Sequence, residues 1–325
     1  MPPALFAPGA IIDQAHDDEI WHTAWVPGKH RLITAGADET TKIWDASTGD
    51  CIAELKDGDY AITSLDVNAQ GTRLLTSSMD NRMRIWNIGD ALETGGSGAR
   101  PALKIDAGPI NAWRSRFVYG AESEPGTASE LLASSTDSGT VRLWSPADGS
   151  LVRELDTSRP NFLYALAVSP NGTRIACAGA GSSTYVFDIE AGVLLSTFAG
   201  HSDNVRSVSF SADSSLLVTA SDDKQVQLHD VRHGNTITAF SGHHSWVLSA
   251  EMHPNEQYIA SGSLDAKVKV WDIGQRKCVE SHNQHSQAVW SVAWERSSED
   301  VVVTRPRLVS AGEDCSVRLY DPLLA

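Results

Sequence analysis

Short runs of β-branched and long apolar residues, each closed by a ring-bearing side chain, recur along the chain. They are TKIW ending at Trp44, MRIW at Trp86, VRLW at Trp144, TYVF at Phe187, VQLH at His229, VKVW at Trp271 and VRLY at Tyr320. Successive anchors lie 42, 58, 43, 42, 42 and 49 residues apart. Six residues before each anchor stands a turn residue: Asp38, Asp80, Ser138, Gly181, Asp223, Asp265 or Asp314. Four residues earlier again comes a small hydroxyl or thiol: Thr34, Thr76, Ser134, Cys177, Thr219, Ser261 or Ser310. Each follows an apolar pair such as Leu74-Leu75 or Leu217-Val218. A short buried strand, a tight turn and a second strand account for this spacing. Histidines add an upstream mark. His16, His201 and His243 stand 22 residues before their Asp, and His285 stands 29 before. An apolar residue follows each by four (Ile20, Val205, Val247, Val289), and alternation of period two begins there, as in VRSVSF at 205–210.

Self-similarity at a fixed period means that each unit is one supersecondary motif whose apolar face is buried by its neighbours. The pattern therefore predicts an all-β chain of seven units. Three polar or glycine-rich insertions interrupt it: 89–101, 118–130 and 295–307. They read as loops.

These coincident marks resemble the WD-repeat family over the whole chain. The resemblance implies a single domain, 1–325: a seven-bladed WD-repeat β-propeller with four antiparallel strands, a to d, per blade. In that family His lies before strand a, Ser or Thr on b, Asp in the b–c turn and Trp on c, joined by hydrogen bonds. The carry-over gives His16, Thr34, Asp38 and Trp44 in repeat one and His243, Ser261, Asp265 and Trp271 in repeat six. Repeat five has His201, Thr219 and Asp223 with His229 in the Trp slot, and repeat seven has His285, Ser310 and Asp314 with Tyr320. In repeats two, three and four, Gly58, Asp106 and Arg159 take the place of the His. The last repeat ends after its third strand, so residues 9–14 (GAIIDQ) are expected to supply strand d and close the ring. The a–b and c–d connections of such a propeller share one rim, the bottom. All three insertions fall there and leave the top uncluttered.

Composition narrows the function. The formal charge is -15, with 26 Lys+Arg against 41 Asp+Glu, and such a surface repels phosphate backbones at long range. Direct nucleic-acid binding is not expected. No apolar run reaches the length of a membrane span, and MPPALFAPGAII lacks the basic start of a signal peptide. The four cysteines are far apart with no metal-ligand spacing, which points to the cytoplasm or nucleus. No Gly-rich phosphate loop or paired ligand motif is present, so no cofactor, metal or small-molecule substrate is expected. A His–Asp pair such as His201–Asp223 could orient a nucleophile. One geometry repeated in several units, however, describes a scaffold bond, and the chain is read as non-enzymatic.

The tryptophans sort by slot. Trp44, Trp86, Trp144 and Trp271 are strand-c anchors, while Trp25, Trp113 and Trp294 fall at inward slots of strand a and should be core. Trp21, Trp246 and Trp290 flank the apolar residue four after the His, where strand a begins at the top rim. The same flanks hold Glu19, Asn111, Phe162, Tyr164, Asn204 and Arg206, and the slot before the b–c turn adds Met79 and Leu264. Aromatic and Arg side chains gathered on one rim are typical binding anchors. These residues are the expected partner surface, with Trp21, Trp246 and Trp290 on one arc. The plainer alternative is that each ring packs privately against its own blade.

Some stretches carry a narrower likeness. QAHDDEIW (14–21), DAGPINAW (106–113), FSADSSLLVTASDD (210–223) and SGHHSWVLSA (241–250) resemble the small WD-repeat subunits of superkiller complexes. That resemblance implies a scaffold for the tetratricopeptide subunit and the RNA helicase of such a complex, which feeds messenger RNA to the exosome for 3′-to-5′ decay. Similar animal proteins are shared with the RNA-polymerase-associated factor complex. Similar fungal proteins serve meiotic recombination through a topoisomerase-like protein. A substrate receptor for a ubiquitin ligase, or a histone-tail reader with Glu19 inside an aromatic cage, stays open as the alternative.

Overall fold

The computed structural model describes residues 5–89, 100–119, 130–298 and 300–323. Every strand in it belongs to one of seven four-stranded antiparallel sheets arranged as the blades of a propeller. Blade one is β2 (Ile20–Val26), β3 (Arg31–Gly36), β4 (Thr41–Asp45) and β5 (Cys51–Leu55), paired in that order. The inner strands of the next five blades are β6 (Ile62–Val67), β10 (Ser115–Val118), β14 (Ala165–Val168), β18 (Val205–Phe210) and β22 (Val247–Met252). The seventh is built from β26 (Val289–Trp294), β27 (Leu308–Gly312), β28 (Val317–Pro322) and, from the other end of the chain, β1 (Phe6–Ile12).

The core lies between blades. Ile33, Ile43 and Leu55 of blade one pack with Ile62, Leu65, Leu74 and Trp86 of blade two. Neither blade can bury these faces alone, which is why the apolar pairs recur at the repeat period.

Closure follows the expected route with shifted bounds. β1 runs antiparallel to β28, from Phe6 opposite Pro322 to Ile12 opposite Val317. It therefore starts three residues before GAIIDQ and ends at Ile12; Asp13 and Gln14 turn away, Gln14 with φ 50°. Burial decides the start, because Phe6 is 5% exposed and packs on Trp294 with ring centres 5.2 Å apart. β1 is an edge strand, so Pro8 costs no ladder bond there, and the pairing slips between Pro8 and Ile11. Gly9 sits at the slip, where a Cβ would strike the Asp321 carboxylate.

Two features position the top rim. Five inner strands carry a bulge near their start: Ile20 pairs with Gly36, and the next partner of β3 is His22. The ladder skips Trp21 and, likewise, Thr63, Arg206, Leu248 and Trp290. A bulge re-aims the side chain it leaves unpaired, and in blades one, five and seven it hands Trp21, Arg206 and Trp290 to the rim, while Thr63 and Leu248 stay buried. In blade three, Ser115 pairs with Ser134, so the turn after Asp106 is two residues longer than the repeat pattern implies. Gly108, at φ 76°, makes that turn. Phe117 takes the inward core slot expected of Trp113, and Trp113 moves to the rim.

The blades are also stitched to each other. Ser64, Ser207, Ser249 and Ser291 accept hydrogen bonds from the backbone N–H groups of Ser115, Ala250, Val292 and Thr23 on the following blades, at 3.1–3.3 Å. Nothing in a hydrophobic pattern marks these serines.

Of the insertions, residues 90–99 and 120–129 lie outside the described residues. β10 ends at Val118, so the a–b loop of blade three begins at Tyr119 and not at Val118. The described residues of the 295–307 segment are irregular and braced at the segment's roots. Arg307 bonds Glu295 at 3.2 Å, and Arg296 O accepts from Gly28 N of blade one at 3.0 Å.

Candidate functional site

The His-centred chains sit within the blades. His16 meets Asp38 at 2.8 Å through Nδ1 and Thr34 at 2.6 Å through Nε2, and the Trp44 ring N–H donates to Thr34 at 2.8 Å. His243 repeats this with Asp265 (3.0 Å), Ser261 (2.8 Å) and Trp271 (2.8 Å). Repeats five and seven complete the chain with substitutes. His201 meets Asp223 and Thr219, both at 2.7 Å, and Thr219 meets His229 at 2.9 Å. His285 meets Asp314 at 2.9 Å and Ser310 at 2.7 Å, and Ser310 meets the Tyr320 hydroxyl at 3.1 Å.

Burial works to raise the Asp38 carboxyl, but hydrogen bonds and charge from His16 and bonds from Thr40 outweigh it and bring the group down to about 2. Asp223, Asp265 and Asp314 are lowered by the same balance with their own His. The four histidines lie buried, each with both ring nitrogens engaged inside its own blade. Such rings tie the turn before strand a to the b–c turn and have nothing left to offer a substrate.

Where the His is missing, other devices stand in. Gly58 occupies its place in blade two, and Arg84 reaches Asp57 (2.7 Å), Asp80 and the Ser78 hydroxyl (2.7 Å). In blade three the structural equivalent is Gly108 rather than Asp106, because of the longer turn, and the Ser134 hydroxyl donates to Asn111 O at 2.7 Å. Blade four, with Arg159 in the slot, packs Cys177 and Phe187 apolar.

On the rim, the structure groups the expected residues differently from their order along the chain. Trp113 stands edge-on to Phe162 (5.2 Å between ring centres), and Phe162 stacks on Tyr164 (4.9 Å). The Arg206 guanidinium lies 4.7 Å from the Tyr164 ring centre and 5.4 Å from that of Trp246. One continuous belt thus crosses blades three to six. Arg206 is clamped by both oxygens of Asp222, at 2.8–3.0 Å, so the cation linking the two aromatic groups is held in place. Trp246 is 44% exposed, Met79 45% and Leu264 40%. A cleft of about 270 Å³ opens at one end, lined by Met79, Ile110, Trp113 and Phe162.

Trp246 therefore connects through Arg206 to blade four, whereas Trp21 and Trp290 stand apart from the belt. The Trp21 ring N–H donates to Glu19 at 2.9 Å, and the buried Trp290 ring N–H has no partner among the described residues. Asn111 and Asn204 serve the backbone: Asn111 O receives the Ser134 hydroxyl, and the Asn204 amide oxygen accepts from Gly181 N at 3.0 Å. Ile110 and Tyr60, both exposed beside the cleft or near it, escaped the sequence pattern. Tyr60 sits in a turn with no His to mark it. Ile110 follows the Gly108 turn, whose two extra residues the repeat spacing does not show.

Comparison with known proteins gives a match to the family described as "WD domain, G-beta repeat" at residues 10–45, 49–87, 192–230, 234–272 and 276–321. Blade three and the inner three strands of blade four, which lack the His and carry the aromatic end of the belt, fall outside those segments. The WD repeat-containing protein VIP3 of Arabidopsis thaliana is 32% identical over 62% of this chain and 63% of its own length. Meiotic recombination protein rec14 of Schizosaccharomyces pombe is 33% identical over 95% of each chain. A Denticleless protein homolog of Danio rerio is 24% identical over 66% of this chain and 38% of its own.

Proposed function

The chain belongs to the WD-repeat family, and we propose that it acts as a non-catalytic docking platform in the cytoplasm and nucleus, with the aromatic belt of blades three to six as its partner surface. The belt itself carries this reading: Trp113, Phe162, Tyr164, Arg206 and Trp246 touch in sequence on one rim, and exposed Met79, Ile110 and Leu264 extend it. Contiguous exposed apolar surface of this kind marks interaction sites, and Trp, Tyr and Arg are the residues that dominate them energetically.

For a partner we propose the tetratricopeptide subunit of a superkiller-type complex, with that complex's RNA helicase held in the same assembly. The narrower sequence likeness of residues 14–21, 106–113, 210–223 and 241–250 supports this. Likeness to rec14 along nearly the whole chain supports a second engagement, in meiotic recombination, on the same belt.

The test pairs two double variants at matched melting temperature, titrated against the purified tetratricopeptide subunit. Phe162→Ala with Trp246→Ala should weaken capture at least thirtyfold, about 2 kcal/mol, the usual scale of a buried aromatic anchor. Trp21→Ala with Trp290→Ala should cost much less. Full binding by the first pair refutes the belt. Affinity purification from cell extract that returns cullin adaptors or histone tails, and no superkiller subunit, refutes the partner.

A further inference from the structure

In each b–c turn the backbone N–H two residues after the Asp slot needs an acceptor, and six blades supply one from a side chain of the same turn. Asp38 accepts from Thr40 N at 3.1 Å, Asp80 from Arg82 N at 3.1 Å, Asp223 from Gln225 N at 3.0 Å, Asp265 from Lys267 N at 3.1 Å and Asp314 from Ser316 N at 3.2 Å. Blade three has Ser138 in the slot, and there the Thr136 hydroxyl accepts from Thr140 N at 3.1 Å. Blade four has Gly181 in the slot, and Ser183 N–H has no acceptor among the described residues.

The other donors around that slot are uncommitted as well. Ser182 N and the hydroxyls of Ser182 and Ser183 make no hydrogen bond among the described residues. Gly181 is exposed, and beyond its chain neighbours a Cβ placed on it would have one heavy atom within 4 Å, Asn161 Nδ2 at 3.4 Å. That amide donates to nothing else among the described residues. Arg159, at the His position of the repeat, is exposed and joins no ion pair among them. Gly181 N itself is taken by the Asn204 amide oxygen at 3.0 Å. Asp222, 3.1 Å from Asn204 Nδ2, is already held by Arg206 at 2.8 Å. The slot adjoins the belt: Ala180 N donates to Phe162 O at 2.7 Å, and Asn161 immediately precedes Phe162.

Backbone N–H, hydroxyl and amide donors around an open turn, with a cation at the neighbouring His position and no acid in the turn, form a seat for a carboxylate. We propose that a partner lying on the belt fills this slot with the carboxylate of an Asp or Glu side chain. That carboxylate takes the bond from Ser183 N that the other blades satisfy internally. The inference rests on the belt as the partner surface and adds its polar specificity: an acidic residue beside the apolar one that covers Phe162.

Two titrations of the full chain test it. In the first, amide spectra of isotopically labelled protein are followed as sodium acetate replaces sodium chloride at constant ionic strength. Saturable displacement of the Ser182 and Ser183 signals is expected, and Arg159→Glu with Asn161→Asp should abolish it. Neither side chain makes a hydrogen bond or ion pair among the described residues, so the fold does not depend on them. In the second, the same variant is titrated with the purified tetratricopeptide subunit and should bind at least tenfold more weakly than the parent. Gln275→Glu with Arg276→Glu, which makes the same change of charge in the c–d turn of blade six on the bottom rim, should bind as the parent does. Absence of a saturable acetate response overturns the seat, as does saturation by inorganic phosphate without a response to acetate. Full capture by the Arg159/Asn161 variant, or an equal loss in the bottom-rim variant, overturns it too, while the belt still stands or falls with Phe162 and Trp246. Acetate binding in a parent that does not capture the subunit supports the seat and refutes the partner.

Discussion

Replacing His201 by Ala isolates the scaffold bond in the blade where its partners are best defined. Two contacts go: the bond to Asp223 at 2.7 Å, whose partner is a carboxylate, and the bond to Thr219 at 2.7 Å, whose partner is an uncharged hydroxyl. The first is worth about 1.5–3 kcal/mol and the second about 1 kcal/mol. Part of this is recovered. Asp223 keeps the N–H groups of Ser202 and Gln225, both at 3.0 Å, and Thr219 keeps His229 at 2.9 Å. A net loss of about 2–3 kcal/mol follows. Urea unfolding followed by tryptophan fluorescence reads it as a lower midpoint at unchanged slope. A cycle with Asp223→Ala should return a coupling of about 1–2 kcal/mol, because the two residues share a bond. Partner capture at low temperature should survive, since the ring lies inside the blade. A loss below about 0.5 kcal/mol, or a fully stable variant that no longer binds its partner, refutes the structural assignment.

Two further outcomes concern His229 and β1. Burial, and next the charge of His201, hold His229 down to about 3, whereas an unfolded chain protonates it near the ordinary imidazole value. That contribution to stability is therefore complete above the ordinary value and lost as pH falls toward about 3. His229→Trp, which restores the ring used in repeats one and six, should flatten the decline of melting temperature between pH 6.5 and 4; an unchanged slope refutes it. Deleting residues 1–13 removes β1, the Phe6 and Ile12 burial and the Leu5 and Phe6 N–H bonds to Glu280, and leaves β28 as a bare edge. The product should melt many degrees lower or aggregate, and an unaltered melting curve would mean that β1 does not hold the ring.

The repeat was legible because it depends on spacing alone. Anchors such as Thr34, Asp38 and Trp44 occupy fixed distances within a strand–turn–strand unit, and seven copies of it require a ring. The rim was legible only in part, because a bulge changes which way a residue faces without changing what residue it is. Trp113 shows the difference. Counted from Asp106 it reaches an inward slot, yet the two extra residues of the Gly108 turn bring Phe117 there instead. Grouping across blades was not legible at all. Trp246 and Tyr164 lie far apart in sequence, and only the Arg206–Asp222 clamp joins them. The stitching serines escaped for a related reason: a hydroxyl that bonds a neighbouring blade has no partner within its own repeat.

The strand that completes blade seven sets the order of events during synthesis. β1 leaves the ribosome first and its partner β28 last, roughly 310 residues later. At 5–20 residues per second β1 waits about 15–60 seconds. Until then six blades stand as an open arc whose two end faces, Trp25 and Ile20 on one side and Val268 and Val270 on the other, are exposed to water. Pairing across so long a loop is slow, and exposed faces of this kind invite association with other nascent chains. Correct production of the ring therefore depends on shielding during translation, for a period fixed by the distance along the chain between two short strands.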